Sequence, residues 1–143
     1  MRSDDRLSFA LHVLLHLNEG RGAVTSETLG PLLKANAVVF RRTMAGLKEA
    51  GIVSSEKGHG GGWTLERRLP EITIGDVYDA LGLSRPFRIG HRDPKPRCLL
   101  ERAVNRTLTK ALTEAEAILV KRFQRVTVAD VLADAGSASL RKP

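Results

Sequence analysis

Apolar residues Leu7, Ala10, Leu11, Leu14 and Leu17 recur at spacings of three and four, which predicts a first helix ending near Glu19 and Gly20. Thr25 is the expected N-cap of a second helix, with Glu27 suiting the positive end of the dipole and Leu29, Leu32 and Leu33 facing inward. Pro31 falls past the first turn, where it removes a backbone donor and crowds the preceding turn, so a kink or a later start is expected. A third helix begins near Asn36, a good cap; Phe40, Met44 and Leu47 form its buried stripe, and Val38, Arg41, Arg42, Ala45 and Lys48 project from its other faces. Gly51 sits where a helix C-terminus favours a residue that tolerates positive φ. The pattern then turns β-branched at Ile52-Val53, passes through Lys57-Gly58-His59-Gly60-Gly61-Gly62, and returns as Trp63-Thr64-Leu65, predicting a hairpin with a tip of almost no side-chain volume.

Thr73-Ile74-Gly75-Asp76 is a capping-box pattern that opens a short helix with Val77 and Leu81 on its inner side. Composition then changes: Ser84 to Arg97 holds three prolines and five cations against one acid, and is expected to be a loop. From Leu99 to about Phe123 a helical pattern resumes, with Val104, Leu108, Ala111, Ala115 and Ile118 alternating at four and three. A helix of this length, roughly 35 to 40 Å, is too long for so small a domain to cover, so its stripe is expected to pair with a second copy. Thr127-Val128-Ala129-Asp130 caps a last short helix, and Gly136 to Pro143 reads as a frayed tail. The predicted fold class is mainly α with a small β-hairpin, a winged helix-turn-helix with a long C-terminal dimerisation helix. The predicted organisation is a DNA-binding domain over 1–83, a basic loop over 84–97, dimerisation and short terminal helices over 98–135, and a tail over 136–143.

Charge sharpens this picture. The 143 residues carry 23 Lys plus Arg against 16 Asp plus Glu, a net charge of +7, which suits a polyanionic partner. An amphipathic third helix followed by a hairpin divides its surface as a recognition helix does, apolar anchors inward and small or cationic side chains toward the groove of double-stranded DNA. Thr25, Ser26 and Asn36 are expected to position phosphates, Val38, Arg41 and Arg42 to address base edges, and Lys57 and His59 to follow the backbone or enter the minor groove. The single cysteine, Cys98, excludes an internal disulfide framework. Leu7 to Leu17 is short and interrupted by His12 and His16, and no run approaches membrane-spanning length, so a cytoplasmic protein without a membrane partner is expected.

The order of residues also resembles a known family, the Rrf-type (IscR-, NsrR- and CymR-like) winged-helix regulators. The resemblance is carried by Arg6-Leu7-Ser8-Phe9-Ala10-Leu11, Val24-Thr25-Ser26-Glu27, Asn36 through Arg42, Gly51-Ile52-Val53, Gly58 through Leu65, and Glu71-Ile72-Thr73-Ile74-Gly75-Asp76-Val77. It implies a homodimeric transcriptional repressor that occludes a palindromic operator. The family commonly has proline where this chain has His59, and Asn-Pro where it has Asn36-Ala37. The family's cluster-binding branch carries three cysteines in a short span where this chain has only Cys98, so no iron-sulfur cluster or other cofactor is expected.

Other chemistries are weaker. His59-Gly60-Gly61-Gly62 looks like an oxyanion-hole segment, but no Gly-x-Ser-x-Gly elbow accompanies it, and no enzyme activity is expected. His12 and His16, four apart on one helix, can face one metal ion, yet further ligands lie in other elements, and an ordinary histidine pair is the expected reading. Cys98 is either a packed, inert residue or a redox-sensing thiol beside Arg92, Lys95 and Arg97. An alternative to DNA binding is a winged-helix interaction module that lacks specific recognition; the cations Arg41, Arg42 and Lys57 argue against it. The operator, the regulated genes and any small-molecule or redox effector are not written in the chain.

Overall fold

Six α-helices and one hairpin follow one another in the computed structural model, which describes residues 4–20, 22–83 and 86–139. They are α1 (Arg6–Glu19), α2 (Ser26–Leu33), α3 (Ala37–Glu49), β1 (Val53–Glu56), β2 (Gly62–Leu65), a 3-10 turn (Leu69–Glu71), α4 (Ile74–Ala80), α5 (Leu99–Arg125) and α6 (Val128–Ser139). The strands pair antiparallel, Val53 opposite Leu65 and Glu56 opposite Gly62.

One core holds the N-terminal elements together. Ala10, Val13, Leu14 and Leu17 of α1, Leu29 of α2 and Phe40, Met44 and Leu47 of α3 meet Ile52, Val53, Leu69, Ile72 and Val77 in it. Fully burying side chains of this size contributes about 1.5 to 3 kcal/mol each. The predicted inner face of α2 holds at Leu29, but Leu32 is 54% exposed and Leu33 only partly buried. Leu32 and Leu33 fall on opposite flanks of Leu29, and the core lies on the Leu33 flank. Nor does α2 start late: it begins at Ser26 with Pro31 inside. The donor lost at Pro31 would have reached the carbonyl of Glu27, an exposed residue whose carbonyl water can satisfy.

The last helix completes this core. Val128 is fully buried, and α6 is stitched to the start of α4 by Ile74 N–H to Val126 O and Val128 N–H to Ile72 O, both 2.8 Å. Its predicted cap is present, Thr127 N–H to Asp130 at 2.8 Å and Asp130 N–H to Thr127 Oγ1 at 3.1 Å. The helix continues past Gly136 to Ser139, further than the sequence pattern predicts; residues 140–143 of the expected tail lie outside the described residues.

α5 behaves otherwise. None of its 27 residues is buried, and its docking is concentrated at the C-terminal end, where Phe123 packs on Tyr78 at 5.7 Å and Gln124 lies against Gly75. Burial, with Glu116 and Asp79 nearby, raises the Tyr78 phenol above its ordinary pKa. The proline-containing loop folds back along the N-terminal half of α5, held by His91 to Thr109 (2.9 Å), Asn105 to Asp93 O (2.8 Å) and Arg102 to Pro96 O (3.0 Å). Its first two residues, Ser84 and Arg85, lie outside the described residues.

Candidate nucleic-acid interface

Two side-chain caps fix the ends of the helical pair. Thr25 Oγ1 accepts from Thr28 N–H at 3.2 Å and contacts Thr28 Oγ1 at 2.9 Å, while Asn36 Oδ1 accepts from Val38 N–H at 2.8 Å. Such caps contribute about 1 kcal/mol each and set where the helices begin. They also occupy the groups concerned. The Thr25 hydroxyl accepts from the Thr28 amide and shares a hydrogen bond with the Thr28 hydroxyl, and Asn36 caps through its carbonyl oxygen, the NH2 of the same amide being a donor group.

α3 turns Phe40, Thr43, Met44 and Leu47 inward and leaves its opposite side bare. Val38 is 57% exposed, and Arg41, Arg42 and Ala45 are exposed with it. Both arginines stand on this exposed side, and Arg42, with Ala45, also borders the hollow between α3 and the C-terminal end of α4. Lys48 reaches the wing, donating to Ser55 Oγ at 2.9 Å, a link the sequence pattern does not predict. Thr43, likewise unpredicted, is 1% exposed and its hydroxyl finds no partner.

The hairpin starts where α3 is closed by Gly51 N–H to Lys48 O and Ile52 N–H to Leu47 O, both 3.0 Å, with Gly51 at φ +71°. Its far strand is tied back to the helical pair. Val24 and Trp63 exchange backbone hydrogen bonds of 2.9 and 2.8 Å, and Trp63 Nε1–H donates to Ser26 Oγ at 3.1 Å. Gly62 makes that approach possible, since a Cβ there would lie 2.7 Å from Val24 O. A cleft of about 340 Å³ results between the start of α2 and the wing, at which Thr25, Ser26 and Lys57 converge together with the acids Glu27 and Glu56. Lys57 and His59 stand exposed at the tip. Trp63 is thus a structural hinge pin that sequence reading places only as a strand residue.

The remaining candidates lie apart from this surface. Val104, Leu108 and Ile118 on α5 are 55%, 37% and 71% exposed, with Ala111 exposed and Ala115 partly buried beside them. Cys98 is the N-cap residue of α5 and is exposed, so within the described residues it is not packed in a core. Among the described residues no helix is long and apolar enough to cross a membrane.

Comparison with known proteins agrees with this geometry. The Rrf2 family model, described as "Iron-dependent Transcriptional regulator", matches residues 3–134. YwnA of Bacillus subtilis (strain 168), which bears the name of an HTH-type transcriptional regulator, is 24% identical over 129 residues, 90% of this chain and 96% of its own. A solved structure from Lactobacillus plantarum, also named as a transcriptional regulator, is 26% identical with a TM-score of 0.78 over 92% of this chain and 90% of that one. IscR of T. potens (19% identical, TM-score 0.65, 100% and 94% covered) and the oxidized form of CymR of Staphylococcus aureus (17%, 0.65, 92% and 95%) share the fold.

The iron in the family's description does not fit this chain as a sulfide cluster. Such a cluster is held by several thiolates, and the sequence has one cysteine, standing exposed at a helix start. Among the described residues no group of three His, Cys, Asp or Glu side chains could hold an ion. With a match over nearly its whole length and a winged helix-turn-helix that supplies the matching fold, the chain belongs to the Rrf2 family of transcriptional regulators.

Proposed function

We propose that this regulator binds double-stranded DNA sequence-specifically as a homodimer and represses by occluding a promoter. The observation that carries the reading is the bare outer side of α3, with Val38, Arg41 and Arg42 exposed, together with an exposed wing tip of Lys57 and His59 whose Lys57 borders the cleft at the start of α2. Arg41 has the planar fork that donates twice to guanine O6 and N7, and the exposed start of α2 offers amides to phosphate. A net charge of +7 favours approach to DNA.

The homodimer rests on α5. Among the described residues its apolar positions Val104, Leu108 and Ile118 stay exposed to differing degrees, and a second copy supplies the same stripe in return. Two wings related by that axis call for a palindromic site with half-sites about one helical turn, or a multiple, apart.

Titration of specific and scrambled duplexes at several salt concentrations tests the interface. Arg41→Ala or Arg42→Ala should weaken the specific duplex by about 1 to 3 kcal/mol where the arginine reads a base. Lys57→Ala should weaken both duplexes alike and flatten the salt dependence. Unchanged affinity in both arginine variants removes α3 from the interface.

A further inference from the structure

On the outer side of α1, remote from the recognition helix in sequence, two imidazoles are set against each other. His12 Nε2 and His16 Nε2 lie 2.9 Å apart, four residues along one helix. Their ring centroids are 4.6 Å apart with planes at 45°, closer than two rings aimed head-on at that N···N distance would be. The Nε2 axes are therefore bent off a common line. Two imidazoles bound cis to one ion at about 2.0 to 2.1 Å hold their nitrogens roughly 2.9 to 3.4 Å apart, so the pair already has the spacing of a chelate.

A second, independent observation concerns the other ring nitrogen. Glu19 Oε2 lies 3.3 Å from His16 Nδ1. A carboxylate there favours a proton on Nδ1, which leaves the lone pair of His16 on Nε2, the atom facing His12. The contact is of ion-pair rather than hydrogen-bond geometry, and it lies at the ring nitrogen where a carboxylate commonly supports an imidazole that binds a metal. His12 is exposed and His16 partly so, leaving an open path from solvent.

The geometry points to a two-histidine chelate on α1 for a late first-row divalent cation, Cu2+, Ni2+ or Zn2+, with water in the remaining positions. Imidazole nitrogen suits these ions, whereas Mg2+ and Ca2+ prefer oxygen. With the His16 proton on Nδ1, His12 Nε2–H is the donor of the Nε2–Nε2 hydrogen bond in the ion-free chain, and binding moves that proton to His12 Nδ1 by exchange with solvent, which frees both Nε2 lone pairs. The ion bridges one turn of the helix whose Ala10, Val13, Leu14 and Leu17 enter the core, so it favours the folded chain over the unfolded one. This site is separate from the single cysteine and from any iron-sulfur chemistry.

Calorimetric titration of the full, untagged chain with CuCl2 and with ZnCl2, after removal of metal by chelator, tests it, with MgCl2 as control. One Cu2+ or Zn2+ per chain is expected, and no Mg2+. His12→Gln and His16→Gln should each weaken binding at least tenfold, because one imidazole remains, while Cys98→Ser, His59→Gln and His91→Gln leave it unchanged. Both Gln changes lie on the outer face of the helix, and circular dichroism checks that α1 persists. Electron paramagnetic resonance of the Cu2+ form should show two nitrogen donors in wild type and one in His12→Gln. No binding, equal binding by the His12→Gln/His16→Gln double variant, or binding that disappears in Cys98→Ser each overturns the assignment.

Discussion

Replacing Gly62 by Ala should cost far more than replacing its near neighbour Gly60, although both sit in the same glycine-rich wing. Gly60 has φ +74°, in the ordinary left-handed region, and an added Cβ would meet nothing within 4 Å. Strain alone predicts a loss of about 1 kcal/mol for Gly60→Ala. Gly62 has φ +140°, and its Cβ would lie 2.7 Å from Val24 O, 2.8 Å from Val24 C and 3.1 Å from Thr25 N. All three are backbone atoms of the segment that the wing root bonds to, so none can swing aside as a side chain would. Backbone strain of about 1 to 3 kcal/mol is joined by the loss of the reciprocal Val24–Trp63 hydrogen bonds, about 1 kcal/mol each, for a total of roughly 3 to 5 kcal/mol. Urea denaturation of both variants at one protein concentration reads the difference. With slopes of about 1 to 3 kcal/mol per molar, midpoints on the order of 1 M apart are expected. Coincident midpoints would show that the wing is not locked to the start of α2 by this contact.

Thr43→Val should stabilise the chain by about 1 kcal/mol in the same assay, because it removes a buried hydroxyl without a partner while keeping its shape; destabilisation would mean that the hydroxyl is satisfied. Leu108→Glu places a charge on the exposed stripe of α5, and sedimentation at micromolar concentration should show monomers where wild type is dimeric; a monomeric wild type refutes the α5 dimer. The Asp130 carboxyl is held below its ordinary pKa by the Thr127 amide and then its hydroxyl. Its folded pKa lies below the unfolded one, so its contribution is present above the ordinary carboxylate value and lost as pH falls through the lowered one. The stability gap between wild type and Asp130→Asn should therefore be widest near neutral pH and close on acidification; a gap independent of pH contradicts this.

Local signals located most of the elements because each depends on neighbours in the chain. The caps Thr25, Asn36, Thr73 and Thr127 bond amides two or three residues onward, and Gly51 closes α3 through its own positive φ, so a one-dimensional reading finds them. The inner stripe of α3 is a matter of helical period, and Phe40, Met44 and Leu47 are buried as it predicts. The outer face of α3 is legible for the same reason, though not the hollow that Arg42 and Ala45 border, which depends on α4 approaching one flank.

Tertiary structure decided what distant segments do to one another. Trp63 reaches Ser26 across 37 residues, and no local pattern distinguishes that from an ordinary strand aromatic. Val128 enters the core only because α6 returns beside Ile72 and Ile74. Leu32 is apolar yet exposed, since the core meets α2 on the Leu33 flank of Leu29 and not on the Leu32 flank. His12 and His16 show the division most plainly. Their spacing fixes that they share a face of α1, but the 2.9 Å separation and the carboxylate of Glu19 behind His16 depend on rotamers chosen by the folded surface. Periodicity sets which side chains share a face; only packing in three dimensions sets how those side chains meet.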